Sequence, residues 1–222
     1  MMGEGMAGIF ISMEGIEGAG KTSMAERLEQ WLQAAERPVF RTREPGGTQA
    51  GEVLRQVILD ADIPLCSEAE LLLIEAARAQ LMHEVILPKL REDCIVILDR
   101  HIDSTTAYQG FGRGMDGDLI AQLNGFTCRY RKPDLTVLLD VDVVEGLQRA
   151  QKITQQTLIR DRFETEKVEF MQKIREGFLE IAKKEPYRFL IVPAQGDEES
   201  VWTMLLAEIK EKPLITDMLI PR

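Results

Sequence analysis

Residues 15–22 read GIEGAGKT and follow the apolar run IFISM of residues 9–13, with only Glu14 between them. The eight residues match the pattern G-x-x-x-x-G-K-[ST] at every fixed position. The apolar run predicts a buried strand and the amphipathic segment beginning at Lys21 predicts a helix, so the glycine-rich turn joins a strand to a helix. Such a turn points backbone N–H groups inward and adds the positive end of the helix. We therefore expect a cradle for phosphate groups at Gly15–Thr22, here called the phosphate loop.

The rest of the chain alternates short apolar runs with amphipathic segments, which is typical of an α/β protein with a mostly parallel sheet. Continuous apolar runs indicate strands covered on both faces. The predicted strands are Gly8–Met13, Val39–Thr42, Ile95–Leu98, Leu135–Val141 and Phe189–Val192. The predicted helices are Lys21–Leu32, Gly51–Leu59, Ser67–Pro88, Asp118–Phe126, Val143–Ala150, Thr165–Lys184 and Glu198–Lys210.

The composition is that of an acidic protein with a sizeable core. The 222 residues include 27 Lys and Arg against 37 Asp and Glu, a formal net charge of −10. This length fits one domain, 1–222, and the negative charge disfavours a nucleic acid partner. No apolar run approaches the roughly 20 residues of a membrane span, so no membrane partner is expected. Three widely spaced cysteines, Cys66, Cys94 and Cys128, indicate reduced thiols and a cytoplasmic location.

One polar segment interrupts the alternation of predicted strands and helices. Residues Gln151–Arg162 carry no apolar face, although helical patterns lie on both sides. We expect a mobile flap there, forming a lid at about 150–164 within the single domain. The tail Pro213–Arg222 is too short to form a domain of its own.

Three residues are candidates for phosphate and metal chemistry. Lys21 is expected to reach the β- and γ-phosphates of a nucleotide, and the Thr22 hydroxyl is expected to coordinate Mg²⁺. Asp99 directly follows the run Ile95–Leu98, where a carboxylate at the end of a strand can meet the metal or its waters. Thr22 and Asp99 are therefore the expected metal-binding residues.

Three arginines indicate a second anionic substrate. Arg43 and Arg100 follow predicted strands, and Arg78 lies one helix away. Unpaired guanidinium groups repel one another, so their convergence is costly unless an anion collects there. The guanine-reading motif Asn-Lys-x-Asp of GTPases is absent from the sequence, which disfavours a G-protein.

Five ordered motifs carry a resemblance to a known family. They are REPGGT at 43–48, EAARAQ at 75–80, DRH at 99–101, STTAYQG at 104–110 with GRG at 112–114, and DRFE at 161–164. With the phosphate loop, they make the chain resemble bacterial thymidylate kinases from residue 9 to about residue 195. The resemblance implies a P-loop nucleoside monophosphate kinase fold, with helices on both faces of a parallel five-stranded sheet. It also implies the reaction MgATP + dTMP → ADP + dTDP and a homodimer formed through helices such as Ser67–Pro88.

The resemblance assigns residues to both substrates. Those implied for ATP are Gly15, Ile16, Glu17, Gly18, Ala19, Gly20, Lys21 and Thr22 around the phosphates, and Arg149 stacked on adenine. Those implied for dTMP are Glu17, Arg43, Pro45, Ile74, Arg78, Arg100, Ser104, Thr105, Tyr108 and Gln109.

Within the dTMP set, the resemblance implies distinct roles. Arg43 and Arg100 would hold the 5′-phosphate. Arg78 and Gln109 would hydrogen-bond the thymine ring, with Ser104 or Thr105 assisting. Tyr108 would pack beneath the sugar, where a 2′-hydroxyl would not fit, and Glu17 would reach the region of the 3′-hydroxyl.

The reaction itself needs little acid–base chemistry. A monophosphate oxygen is already a nucleophile at neutral pH, so positioning and charge neutralisation carry catalysis. The interior of the phosphate loop has no basic side chain, and the resemblance to the bacterial type then implies that the flap supplies one. Lys152, Arg160 and Arg162 are the candidates. The residues implied for catalysis are Lys21, Asp99, Arg100, Arg160 and Arg162.

Two departures from the family pattern leave alternatives open. Ile74 stands where the family usually has a Phe that stacks on thymine, so a kinase for another nucleoside monophosphate is an alternative. The flap is also longer than usual. A non-enzymatic ATP-binding switch is a further alternative, since many unrelated proteins share the phosphate loop.

Overall fold

The computed structural model of the chain describes residues 8–157, 163 and 167–219. Five parallel strands form one sheet in the order β2-β3-β1-β4-β5. The strands are β1 (Phe10–Glu14), β2 (Val39–Arg43), β3 (Ile95–Asp99), β4 (Leu135–Asp140) and β5 (Phe189–Pro193). Each lies at one of the five apolar runs, which confirms the predicted strands with small shifts at their ends.

Helices connect the strands. They are α1 (Lys21–Ala34), α2 (Gln49–Leu59), α3 (Ser67–Leu81), α4 (Leu87–Arg91), α5 (Ile102–Thr105), α6 (Gly117–Thr127), α7 (Val143–Thr157), α8 (Val168–Lys184), α9 (Glu198–Lys210) and α10 (Pro213–Leu219). Two π-helical turns, Met82–Ile86 and Thr106–Gly112, join α3 to α4 and extend α5. In the part of the chain that the structure describes, no helix is long and apolar enough to cross a membrane.

Both faces of the sheet are covered, as the continuous apolar runs predicted. In β3, Ile95 and Ile97 pack in one hydrophobic cluster, whereas Val96 and Leu98 pack in another. Successive side chains of a strand point to opposite faces, so these two clusters lie on opposite sides of the sheet. Helices therefore flank the sheet on both faces.

The sheet order creates a crevice beside β1. β1 lies between β3 and β4, so the chain builds first on one side of β1 and then on the other. In open α/β sheets, ligands bind outside the carboxyl ends of the strands where the order reverses. The phosphate loop follows β1, and Asp99 and Arg100 stand at the end of β3, so both border this crevice.

The predicted helix Ser67–Pro88 is confirmed in place but is not regular. A π-helical turn at Met82–Ile86 precedes Pro88, and the helical course ends at Arg91. Proline has no N–H for a regular helical hydrogen bond and its ring collides with the preceding turn. A π turn is one of the distortions that accommodates this, and the sequence pattern alone did not show it.

The predicted end of the helix after β4 was wrong. α7 continues through Thr157 rather than ending at Ala150, so residues 151–157 of the expected flap are helical. A helix already nucleated gains one hydrogen bond for each residue added, and the added segment contains no proline or glycine. The rest of the expected flap, apart from Phe163, lies outside the described residues.

Two helical segments were not predicted at all. α5 and the π turn after it occupy residues 102–112, whose Ser, Thr and Gly content gives weak helix propensity. A buried ion pair holds this segment, because both nitrogens of the Arg188 guanidinium end donate to the Asp103 carboxylate at 2.7 Å. α10 at the tail also escaped prediction.

Candidate active site

The backbone of the phosphate loop requires glycine at specific positions. Gly18 and Gly20 have φ angles of 71° and 90°. A Cβ atom on Gly18 would lie 2.0 Å from the carbonyl oxygen of Gly146, at the first turns of α7. The loop therefore packs against α7 at a distance that only glycine allows.

Lys21 and its neighbours form the phosphate-binding end of the site. Lys21 is buried, and its Nζ donates to the carbonyl oxygen of Ile16 at 2.8 Å. Burial, aided by Arg100, lowers the pKa of Lys21 to about 8. A bound polyphosphate would reverse this effect, since a nearby negative charge favours the ammonium form.

Thr22 and Asp99 meet at this end of the site. The Thr22 hydroxyl donates to Oδ2 of Asp99 at 2.6 Å, although the two residues lie far apart in the sequence. Hydroxyl and carboxylate oxygens are the hard ligands that Mg²⁺ prefers, so this donor set fits the metal. Among the described residues there is no group of three or more His, Cys, Asp or Glu that could hold a metal ion, and Mg²⁺ commonly takes its remaining ligands from water and substrate phosphates.

A cavity of about 250 Å³, here called the substrate cavity, extends from Lys21 along the ends of β2 and β3. Its lining includes Lys21, Thr22 and Asp99 and all ten residues expected at the dTMP site: Glu17, Arg43, Pro45, Ile74, Arg78, Arg100, Ser104, Thr105, Tyr108 and Gln109. The structure thus brings together residues from several elements that the sequence analysis assigned to one substrate.

Arg100 is fixed between the phosphate loop and Tyr108. Its backbone has a φ angle of 70°, an uncommon conformation for a residue other than glycine. Its side chain donates to the Gly15 carbonyl oxygen at 2.9 Å and to Glu17 at 2.9 Å, and it lies over the Tyr108 ring, 5.0 Å from the centroid. The Tyr108 hydroxyl also donates to Glu17 at 2.7 Å, so Arg100, Glu17 and Tyr108 form one hydrogen-bonded group.

Arg78 lies at the far end of the substrate cavity and is 1% exposed. Its Nε donates to Glu44, and its Nη1 donates to both Glu75 and Asn124, at 2.7–2.8 Å. Its Nη2 donates to the Thr105 hydroxyl at 2.7 Å. These contacts use four of its five N–H groups, and among the described residues one Nη2 donor remains available for a ligand.

Gln109 faces the same end of the cavity and is also 1% exposed. Its amide nitrogen donates to Glu70 Oε1 at 3.0 Å. Its amide oxygen is buried and has no hydrogen-bond partner among the described residues. A buried acceptor without a partner is costly, which favours a ligand that donates to it.

Arg43 and Arg55 stand at the edge of the cavity. Arg43 donates to both carboxylate oxygens of Glu52, at 2.9 and 3.1 Å. Glu52 also accepts from the backbone N–H of Gly47, and this bond is the main cause that lowers the pKa of Glu52. Arg55 donates to the Pro45 carbonyl oxygen at 2.8 Å and lines the substrate cavity. Arg55 was missed, although its place on the helix directly after REPGGT was a usable signal.

A buried carboxylate, Glu14, holds the segment that carries Arg100. Glu14, at the end of β1, accepts from the backbone N–H of His101 at 2.8 Å and from the Ser104 hydroxyl at 2.6 Å. Burial, with Asp103 nearby, raises the pKa of Glu14 to about 8. Glu14 thereby ties the end of β1 to the segment that carries Arg100. Sequence reasoning did not single out Glu14.

Arg149 does not line the substrate cavity. It borders a second cavity of about 250 Å³ on the other side of the phosphate loop, lined by Gly18, Ala19, Gly20, Ser23, Met24, Arg149, Gly196, Glu198 and Val201. Its guanidinium donates to the carbonyl oxygens of Ala194 and Gly196 at 2.9 Å and pairs with Glu145. These contacts hold the guanidinium beside the loop.

Comparison with known proteins decides the family. The family model described as thymidylate kinase matches residues 13–205. The chain belongs to the thymidylate kinase family. Curated thymidylate kinases are similar over most of their length: that of Geobacter sulfurreducens is 46% identical over 199 residues, covering 88% of this chain and 93% of the relative. That of Geotalea daltonii is 48% identical over 189 residues, covering 83% and 88%.

A solved structure agrees with the family assignment. The crystal structure of thymidylate kinase from Ehrlichia chaffeensis is 35% identical and superposes with a TM-score of 0.73, covering 91% of this chain and 98% of that one. The similarity therefore spans the sheet and the helices around the substrate cavity. The predicted nucleoside monophosphate kinase fold is confirmed.

In this member of the thymidylate kinase family, the structure describes only part of the segment expected to form a lid, residues 150–157 and 163. Arg160 and Arg162, expected at the reacting phosphates, lie outside the described residues, and Lys152 is exposed on α7. Phe163 is described and buried, and its ring meets the Tyr108 ring edge-on with centroids 5.4 Å apart. Ala150 and Phe163 both line the substrate cavity, so the segment expected to form the lid contributes at least these two residues to its wall.

Proposed function

We propose that this chain transfers the γ-phosphoryl group of ATP to dTMP, giving ADP and dTDP, with Mg²⁺ as the metal. The observation that carries the proposal is the substrate cavity: a phosphate loop stands at one end, and an arginine donor and a glutamine acceptor stand at the other. A nucleoside monophosphate has matching chemistry at its two ends.

The base end suits thymine. Thymine carries a carbonyl oxygen at position 4 and an N–H at position 3, side by side. The remaining Nη2 donor of Arg78 fits the carbonyl, and the unpartnered amide oxygen of Gln109 fits the N–H. A site that hydrogen-bonds a base in this way rejects bases that leave its buried polar groups unpaired.

The phosphate end suits an in-line phosphoryl transfer. Arg43, Arg55 and Arg100 would neutralise the acceptor phosphate, and Lys21 the β- and γ-phosphates of ATP. Thr22 and Asp99 would hold Mg²⁺, which neutralises charge on the phosphates when bound. Positioning and charge then carry the rate, without a strong general base.

The lid completes the proposed active site. We place it at about 150–164, and we assign Arg160 and Arg162 to the transferring phosphoryl group. The support is the phosphate loop itself, whose interior residues Ile16–Ala19 carry no basic side chain. Arg149 would stack on adenine from the second cavity, where its guanidinium is already held.

Ile74 favours a second candidate function. It is partly buried in the wall of the substrate cavity, where an aliphatic side chain covers a base without aromatic stacking. The second candidate is therefore a kinase for another nucleoside monophosphate. Tyr108 and Glu17 would still exclude a ribose 2′-hydroxyl, since they close the cavity beside Arg100.

A substrate panel tests the proposal. The full chain, with ATP and Mg²⁺, is offered dTMP, dUMP, dCMP, dGMP and dAMP in one coupled ADP assay. We expect the highest kcat/KM with dTMP. No turnover with dTMP but turnover with another monophosphate would select the second candidate.

A variant tests the assignment of Arg100. Arg100→Ala should lower kcat/KM about 100-fold or more, because it removes a charge that positions and neutralises the acceptor phosphate. Arg91→Ala, at the exposed end of α4, is the matched control and should keep wild-type kinetics. Thermal unfolding of both variants separates loss of function from loss of fold.

We also propose a cytoplasmic homodimer. The neighbouring helices α2, α3 and α6 present large apolar side chains to solvent, among them Val53, Leu72, Leu119 and Phe126. Large exposed apolar surface marks protein–protein contact sites. The free thiols of Cys66, Cys94 and Cys128 support a reducing compartment.

A further inference from the structure

Glu70 lies on the first turn of α3, behind Gln109 as seen from the substrate cavity. It is buried, and its Oε1 accepts from the Gln109 amide nitrogen at 3.0 Å. The Arg113 guanidinium donates to both Glu70 oxygens, at 3.2 and 3.1 Å, and lies over the Phe170 ring, 4.5 Å from its centroid. Glu70 is therefore held on one side by a fixed guanidinium and holds Gln109 on the other.

We propose that Glu70 is a positioning residue that fixes the orientation of the Gln109 amide and thereby makes the site select thymine over cytosine. This inference rests on the proposed function and adds to it the residue that decides between two pyrimidines. Gln109 was predicted from the sequence to bind the base, whereas no role in substrate binding was predicted for Glu70.

The side-chain amide of Gln109 can adopt two orientations that fill nearly the same space. The two ends of a glutamine amide have nearly the same shape, so only its hydrogen-bond partners decide which end points where. A carboxylate that pairs with a guanidinium offers acceptors only. The Gln109 nitrogen must therefore face Glu70, and the Gln109 oxygen must face away from it.

The orientation decides which base fits. Thymine and uracil carry a donor N–H at position 3, whereas neutral cytosine carries an acceptor nitrogen there. With its oxygen turned away from Glu70, Gln109 offers an acceptor, which pairs with thymine and repels cytosine. Arg78 adds to the selection, because its remaining donor suits the 4-carbonyl of thymine and not the 4-amino group of cytosine.

The two base-reading residues are held by separate carboxylates. Glu44 and Glu75 bind Arg78, and Glu70 binds Gln109. The contacts of Glu70 with Gln109 and Arg113 differ from those that hold Arg78, so a change at Glu70 should act through the Gln109 amide. This separation makes the role of Glu70 testable by itself.

The test is the variant Glu70→Gln. A neutral side chain at position 70 presents either a donor or an acceptor, so the Gln109 amide is free to turn. We expect the ratio of kcat/KM for dCMP to that for dTMP to rise on the order of tenfold or more, since an unpaired buried group no longer penalises cytosine. We expect the change mostly in KM, because base contacts form equally in the ground state and the transition state.

Two further variants keep the test decisive. Glu68→Gln makes the same chemical change on the same helical turn at an exposed position and should leave the ratio unchanged. In a Gln109→Ala background, Glu70→Gln should have no further effect on the ratio, because its means of action is gone. The double variant also tests the proposal if Glu70→Gln alone does not fold while Gln109 is present.

The outcomes separate the inference from the proposed function. If the wild-type chain does not phosphorylate dTMP, the proposed function fails. If it does, but Glu70→Gln lowers dTMP and dCMP turnover equally, Glu70 is merely structural and the inference is overturned. An effect of Glu70→Gln on the ratio that persists in the Gln109→Ala background overturns it as well.

Discussion

At the scale of single residues, Lys21 links the charge of the site to pH. Its pKa is lowered to about 8, mainly by burial. Phosphates bind the ammonium form of Lys21. The affinity for ATP should therefore be near its maximum well below pH 8 and should decline as the pH rises through 8. We expect the Kd for ATP to rise about tenfold between pH 7 and pH 9, because only about a tenth of Lys21 stays charged one pH unit above its pKa.

Calorimetric titration of the chain with ATP at several pH values provides the measurement. Lys21→Arg should bind more weakly but with a flat pH profile, since arginine keeps its charge. Lys183→Arg, an exposed substitution on α8, should keep the wild-type profile. If the Kd of the wild-type chain for ATP did not change with pH, another group would be compensating for the deprotonation of Lys21.

Glu14 makes the stability of the fold depend on pH. Its pKa is about 8 in the folded chain, against an ordinary value of 4.5, because of burial and of Asp103 nearby. A raised folded-state pKa stabilises the fold fully below pH 4.5, and this stabilisation is lost as pH rises through 8. We expect Glu14→Gln to remove this loss, which amounts to roughly 2–5 kcal/mol between pH 5 and pH 9.

Denaturant unfolding across that pH range measures the difference between wild type and variant. Glu26→Gln, an exposed change on α1, should leave the pH dependence as in the wild type. If the free energy of unfolding changed with pH in the same way in the wild type and in Glu14→Gln, the raised pKa of Glu14 would be contradicted.

At the scale of elements, the phosphate loop is packed against α7. We expect Gly18→Ala to abolish ATP binding and to lower Tm strongly, because its Cβ would lie 2.0 Å from the backbone oxygen of Gly146. Gly20→Ala is the matched control: its φ angle is also positive, but a Cβ there meets nothing within 4 Å. It should cost only the backbone strain of about 1–2 kcal/mol.

Thermal unfolding and ATP titration of the two glycine variants make the comparison. If Gly20→Ala lowered Tm and ATP affinity more than Gly18→Ala does, backbone strain, and not the close approach to α7, would be the reason that the loop requires glycine.

The elements also show where sequence patterns stop being informative. The five strands and most helices could be predicted because apolar periodicity is local and each element obeys it. Residues 102–112 could not, because a contact with distant Arg188 holds a segment of weak helix propensity. The extension of α7 to Thr157 could not either, because propensity is only a weak guide to where a helix ends.

At the scale of the whole molecule, the exposed apolar side chains of α3 and α6 predict self-association. Phe126 is 74% exposed and Leu72 is 57% exposed. We expect Leu72→Asp combined with Phe126→Asp to give a monomer, because two charges would be buried without partners in the interface.

Analytical ultracentrifugation of wild type and variant measures the oligomeric state. Tyr187→Asp, on a residue that is 77% exposed just before β5, is the control and should sediment like the wild type. A wild-type chain that sediments as a monomer at micromolar concentration would contradict the homodimer.

The sequence by itself determined the phosphate loop, the α/β order of elements and the motifs that carry the resemblance to thymidylate kinases. These follow from local spacing, apolar periodicity and ordered motifs, all of which one chain displays without folding. Only the tertiary structure decided how these residues act: the carboxylates that hold Arg78, the orientation of the Gln109 amide, and the pKa values of Lys21 and Glu14. The physical reason is that hydrogen bonds and burial join residues from distant parts of the chain, and no local pattern records which of them will meet.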